Sequence, residues 1–330
     1  MSLSVFSTRS RILRSLLLAF LLGMTASVLA DTAKPRVLVA LPALYALTAS
    51  LSQGTHIETV RIPDDAAVPM ESLANALSRL EPAVFQQADA VLTLSSLWRA
   101  DPLYAAARRH NLRIVEIDAS RSWDPVKPGV AVTQAPVNDV PWAAAEERSV
   151  GEPSPYAWLG PINAMRMSAI IAADLSRLSP KDAAQIARNL DTLENRLRQL
   201  KAEYGPRLAQ IPDLRVLSLA GEFTYLFGEF DIFVDGWFIR QDVNWSPADR
   251  DALTRYLREH DIKVVVHKWA PDAAIAQAVE AGGARLLILD AGNPGILANA
   301  SKSYDELLRA DLDAVLAAFA PSQPTKAIEP

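Results

Sequence analysis

The sequence predicts an α/β protein of two lobes, each with a mainly parallel sheet flanked by helices, joined by a long rigid linking helix. Three observations carry this. Short runs rich in Val, Ile and Leu alternate with helical patterns through both halves of the chain. The runs are too apolar for a sheet with one wet face, so both faces must be covered. Between the two alternating regions, Leu190, Leu193, Leu197 and Leu200 recur every three or four residues with charges between them, the mark of an amphipathic helix. At 330 residues the chain is long enough for two domains with sizeable cores.

The start of the chain reads as a leader. Arg9, Arg11 and Arg14 precede the apolar run Leu16–Leu22, and Val28-Leu29-Ala30 fits a small-x-small cleavage site, so residues 1–30 are expected to be a Sec-type signal peptide. The run is shorter than the about 20 residues of a membrane span. There is no cysteine, which excludes disulfides, a thiolate nucleophile, a Cys-based zinc site and a lipid on an N-terminal Cys. A periplasmic protein without a lipid anchor is the expectation. Without the three leader Arg, 30 basic residues face 38 acidic ones, a net charge of −8. With no basic stripe, nucleic acid is not an expected partner.

Residues 31–160 form the expected first lobe. Residues 36–41 read as a buried strand stopped by Pro42, 43–53 as a helix, 57–62 and 89–94 as strands, 97–110 as a helix and 113–117 as a fourth strand. Residues 119–157 carry six prolines and read as a long loop over the surface or across a cleft. Residues 161–212 read as the helical linker. It holds one helix over 162–178 and a second that restarts at Ser179-Pro180 and runs to about Tyr204, before Gly205-Pro206. About 25 residues at 1.5 Å each span roughly 37 Å, the width of a domain. Residues 213–320 repeat the alternation. Strands are expected at 215–220, 232–239, 263–266 and 285–290, and helices at 247–260, 272–281 and 303–319, with a short helix or turn at 223–230. The tail 321–330 is expected to be disordered.

Open α/β sheets present ligand groups just past the carboxyl ends of their strands. In the first lobe that rule selects Pro42–Tyr45, Asp64-Asp65 and Ser95–Trp98, and in the second Gly221-Glu222, His267-Lys268-Trp269 and Asp290–Gly292. Plainer roles exist for each. Glu222 also fits a helix N-terminal acid, Asp290 a turn residue, His267 a hydrogen-bonded buried histidine, and Trp98 and Trp269 core or cleft wall. No G-x-S-x-G, P-loop, H-E-x-x-H or dinucleotide fingerprint occurs, so an enzyme is not expected.

The stretch Ser154-Pro155-Tyr156-Ala157-Trp158-Leu159-Gly160-Pro161-Ile162-Asn163-Ala164 resembles the D-P-H-x-W-L-D-P-x-N-A signature of metal-binding periplasmic receptors of ABC importers, of the ZnuA/TroA type. The opening strand with Pro42–Tyr45, the segment Gln87–Val91 and the order of lobes around a long helix are similar too. The resemblance implies two α/β lobes, a metal held between them and an inner-membrane permease as partner, with the receptor acting as a monomer. Carried over by position, it implies Tyr156, Glu222 and Asp290 as ligands, with the family's first His falling between about 64 and 75.

That stretch contains no His, and the chain has only four, at positions 56, 110, 260 and 267, with no pair at ligand spacing. The implied donors are all oxygens, which suit harder ions than zinc. Three readings follow. The cargo is a metal inside an organic chelate such as a ferric siderophore, with Trp98, Trp158 and Trp269 as walls and polar anchors beside them. Or the protein binds free ferric iron or manganese through Tyr156, Glu222, Asp290 and either His267 or Asp64. Or it is an accessory protein whose metal site has decayed. No tightly bound cofactor is expected.

Overall fold

The computed structural model describes residues 34–64, 68–148, 151–299 and 302–320. The expected signal peptide and C-terminal tail lie outside the described residues. The described residues from Arg36 onward form one compact unit.

The first lobe runs β1 (Arg36–Val39), α1 (Pro42–Ser52), β2 (Glu58–Arg61), α2 (Leu73–Leu77), α3 (Pro82–Gln86), β3 (Ala90–Thr93), α4 (Leu103–Arg108) and β4 (Val115–Asp118). Its strands are parallel in the order β2-β1-β3-β4. Two helices follow, α5 (Pro161–Leu178) and α6 (Ala183–Ala209). The second lobe runs β5 (Arg215–Ser218), α7 (Thr224–Glu229), β6 (Phe233–Trp237), α8 (Pro247–Glu259), β7 (Val264–His267), α9 (Ala273–Ala281), β8 (Arg285–Ile288) and α10 (Tyr304–Phe319). Its parallel order β6-β5-β7-β8 repeats that of the first.

Local chemistry explains the boundaries. Prolines open α1, α3, α5 and α8, where their missing N–H has no partner to lose. Ser246 with Asp249, and Ser303 with Glu306, form reciprocal caps on α8 and α10. Three expectations need correction. The spine helix does not stop before Gly205-Pro206. It continues for 27 residues to Ala209, because Pro206 lies in the last turn and Leu208, beyond it, is buried. The helix expected over 97–110 forms only over 103–108, because Asp101 and Pro102 start it: the Asp101 carboxylate accepts the Leu94 and Leu103 N–H groups at 2.8 and 3.0 Å. Residues 70–86, assigned no element from sequence, hold a 3-10 turn and two helices of five residues, too short to show a period.

One apolar core joins both lobes. It contains Leu38 and Val91 of the first sheet, Met167 and Ile171 of α5, Leu197 and Leu200 of α6, Val216 and Val264 of the second sheet, and Leu308 of α10. A smaller cluster, with Leu217, Phe238, Leu253, Val265 and Ile275, lies in the second lobe. The long loop closes it. Val140 and Ala143 are buried there, and Asp139 exchanges hydrogen bonds with Trp237 at the end of β6. Arg240 then ties Glu147 of the loop to Asp249 of α8. Among the described residues no helix is long and apolar enough to cross a membrane.

Burial pushes the Asp101 carboxyl up to about 6, against the two backbone bonds and with help from the nearby Glu116 and Asp118 charges. An unfolded Asp titrates near about 4. Across that window the folded form retains a proton the unfolded chain releases, so stability should fall as pH rises from about 4 to about 6. Urea midpoints over this range should decline more steeply for the wild type than for Asp101→Asn; parallel curves would assign the decline to other groups.

Candidate functional site

The carboxyl ends of both sheets border one cavity of about 140 Å³. The loop after β2 supplies Pro69 and Glu71, the segment before α5 supplies Tyr156, and the loop after β5 supplies Glu222. Lys268 and Trp269 follow β7, while Asp290, Ala291, Asn293 and Gly295 follow β8. This is where strand-end loops of open sheets gather ligand groups. A larger groove of about 570 Å³ lies at the opposite, amino-terminal edge of the second sheet beside α6; none of the sequence-derived candidates lines it.

Tyr156, Glu222 and Asp290 thus share one cavity, with Trp269 at its rim. Tyr156 precedes α5, whose first N–H groups are held by Glu229 of the second lobe: Ile162 N donates to Oε2 at 2.8 Å. Burial, and then the Glu222 charge, push the Tyr156 phenol well above its usual range, so it is a neutral hydroxyl; Asn293 Nδ2 donates to it at 3.4 Å. Glu222 is buried and forms an ion pair with Lys268. The Lys268 ammonium also lies 4.5 Å from the centre of the Trp269 ring. Asp290 is held by its own loop: Oδ1 accepts from Gly292 N at 2.8 Å and Oδ2 from Ile296 N at 2.5 Å. Its backbone N–H donates to Asp311 Oδ1 at 2.8 Å, and burial beside Asp290 raises the Asp311 carboxyl far above its ordinary range.

Four candidates stand elsewhere. His267 is buried at the end of β7 and turned away. Its Nδ1 accepts from Lys268 N at 2.9 Å and Trp269 N at 3.2 Å, which leaves the proton on Nε2, 3.5 Å from Asp242 Oδ1. Burial lowers its pKa, only partly offset by Asp242, so it is a neutral turn-holding group. Trp98 packs on the core. Trp158 is fully buried behind the cavity, its Nε1 donating to Ala291 O at 2.9 Å and its ring edge-on to Tyr156 at 5.2 Å. Asp64 is exposed and does not line the cavity.

Sequence reasoning missed Glu71 and Asn293 as cavity residues, and the role of Lys268. Glu71 lies within the 64–75 stretch that lacks a His, and that position is the one signal that pointed to it. Lys268 was in view beside Trp269, but a pairing with Glu222, 46 positions away, leaves no trace in local spacing.

Residues 70–318 match the family described as "Zinc-uptake complex component A periplasmic", ZnuA, and the chain belongs to that family. The family comprises substrate-binding proteins that bind metal ions and work with ABC importer permeases. Among solved structures, a mutant of FpvC from Pseudomonas aeruginosa superposes with TM-score 0.67 at 22% identity, covering 86% of this chain and 98% of that one. The FpvC complex with Mn2+ gives 0.64 at 22% identity, covering 87% and 99%. The metal-dependent lipoprotein YcdH from Bacillus subtilis gives 0.66 at 16% identity, covering 86% and 99%. These likenesses show the fold, a ZnuA-type pair of lobes around a long helix.

Among the described residues no three His, Asp or Glu side chains stand together so as to hold a metal ion. Asp290 is bound by its own loop, and Glu222 already has a cation.

Proposed function

We propose that this chain is a periplasmic substrate-binding protein, exported by a Sec-type leader, that carries a metal within an organic chelate such as a ferric siderophore to an ABC importer permease. It works as a monomer and catalyses no reaction. The observation that supports this is the cavity where Tyr156, Glu222 and Asp290 meet between the sheets, with Lys268 inside and Trp269, 47% exposed, at its rim. A cavity of about 140 Å³ takes one edge of a chelate. The rest of such a ligand would lie against the Trp269 face, and the chelate itself would supply the metal's donors.

Three carboxylates around one cavity, Glu71, Glu222 and Asp290, favour a second reading, direct capture of free manganese or ferric iron. Chelator-stripped protein titrated with zinc, manganese, ferric iron and ferric siderophores, followed by tryptophan fluorescence, separates the two. Quenching by a ferric chelate alone is the expected result. A response to a free ion that is lost in Tyr156→Phe and Glu222→Ala would replace the first reading with the second. Silence toward every probe from folded protein would make it an accessory protein.

A further inference from the structure

We infer that Lys268 is the specificity-determining residue of this cleft: its ammonium group is the resident cation against Glu222, so a bare divalent ion cannot take that carboxylate without displacing it, while a cargo oxygen can accept from the same ammonium.

The argument begins with Glu222. A buried carboxylate needs a positive partner or a shell of donors to stay charged. The partner present is Lys268, whose side chain is about one quarter exposed while that of Glu222 is nearly covered. The ammonium sits between this carboxylate and the face of Trp269, two features that both stabilise a cation. It therefore fills the charge that a bound ion would otherwise bring. The other acids keep their charge but are poorer donors for an ion than Glu222 would be. Both Asp290 oxygens accept N–H groups of their own loop. Glu71 is exposed, on the opposite lobe. A divalent ion entering here would meet an ammonium group at the one deeply buried carboxylate, and like charges at contact distance repel strongly where water is scarce. A ligand oxygen with negative charge meets the opposite situation. An ammonium has three donors; one serves Glu222, and the others are available to the cargo.

The cargo half of this inference rests on the function proposed above; the cation half does not. The test is therefore a manganese titration of full-length mature protein, followed by Tm and tryptophan fluorescence, on wild type, Lys268→Ala and Lys268→Glu. Wild type should show no manganese-dependent rise in Tm. Lys268→Ala should gain weak binding. Lys268→Glu, which sets a second carboxylate against Glu222, should bind at least about tenfold more tightly than Lys268→Ala, and adding Glu222→Gln should abolish the gain. A manganese-dependent rise in the Tm of the wild type overturns the inference without requiring any variant to fold. So does a folded Lys268→Glu protein that gains nothing. Failure of every ferric chelate to bind wild type would remove the proposed cargo but leave this ranking intact, so the two failures are distinguishable.

Discussion

Gly295→Ala should lower the stability of the protein by about 3 kcal/mol or more, and its Tm by roughly 6 °C or more. Gly295 has a backbone φ of +51°, in the left-handed region, and a Cβ there would stand 1.7 Å from Asp290 Oδ1 and 2.4 Å from its Cγ. The methyl group and the carboxylate cannot both remain. If Asp290 leaves, it abandons its bonds from Gly292 N and Ile296 N, and the loop after β8 loses the group around which it is wound. Bonds of this kind to a charged acceptor contribute about 1.5–3 kcal/mol each, and the left-handed backbone adds about 1 kcal/mol for a residue with a side chain. Gly283 is the matched control. Its φ is +83°, but nothing lies within 4 Å of the added methyl, so Gly283→Ala should cost only the backbone share. Thermal melts of the two variants side by side decide the matter. Equal shifts would mean that the Asp290 loop relaxes without cost.

Trp158→Ala should cost about 3–5 kcal/mol in urea unfolding, the range for removing a large aromatic side chain from a core. Trp158 is 1% exposed and ties the segment before α5 to the loop after β8 through its bond to Ala291. Its backbone carbonyl accepts the hydroxyl of Tyr304, itself fully buried. Trp158→Phe keeps much of the ring volume but leaves the Ala291 carbonyl without this donor, so it should cost about 1–3 kcal/mol. The expected order of midpoints is wild type, Phe, Ala. A Phe variant as weak as the Ala variant would show that the hydrogen bond, not the packing, carries the load.

These two residues also show where the chain's pattern could be read and where it could not. The sheets were legible because Arg36–Val39, Ala90–Thr93, Val264–His267 and their neighbours are short apolar runs that only a covered parallel sheet can absorb. Strand-end loops then brought Glu222, Asp290 and Trp269 toward one place by topology, and the family signature added Tyr156. Orientation was not legible. His267 sits at a strand end like the others, yet its ring turns inward because two backbone N–H groups of the next turn need an acceptor. Trp158, two residues from Tyr156, faces the core rather than the cavity. Glu71 belongs to a 3-10 turn of three residues, which has no period to detect. The Glu222–Lys268 pair depends on how β5 and β7 lie side by side, a neighbour relation that a crossover hides from the linear chain.

The apolar interior that continues from Leu38 through α5 and α6 to Val264 has a consequence for how anything enters or leaves. Swinging the halves wide apart would wet packed Leu, Ile and Met side chains, a penalty that grows with every square ångström uncovered. On the function proposed above, exchange is expected at the doorway itself, through the rotamers of Lys268 and Trp269 and the few residues around them. The protein in this view behaves less like a jaw than like a turnstile, its frame fixed and its passage decided by the bar.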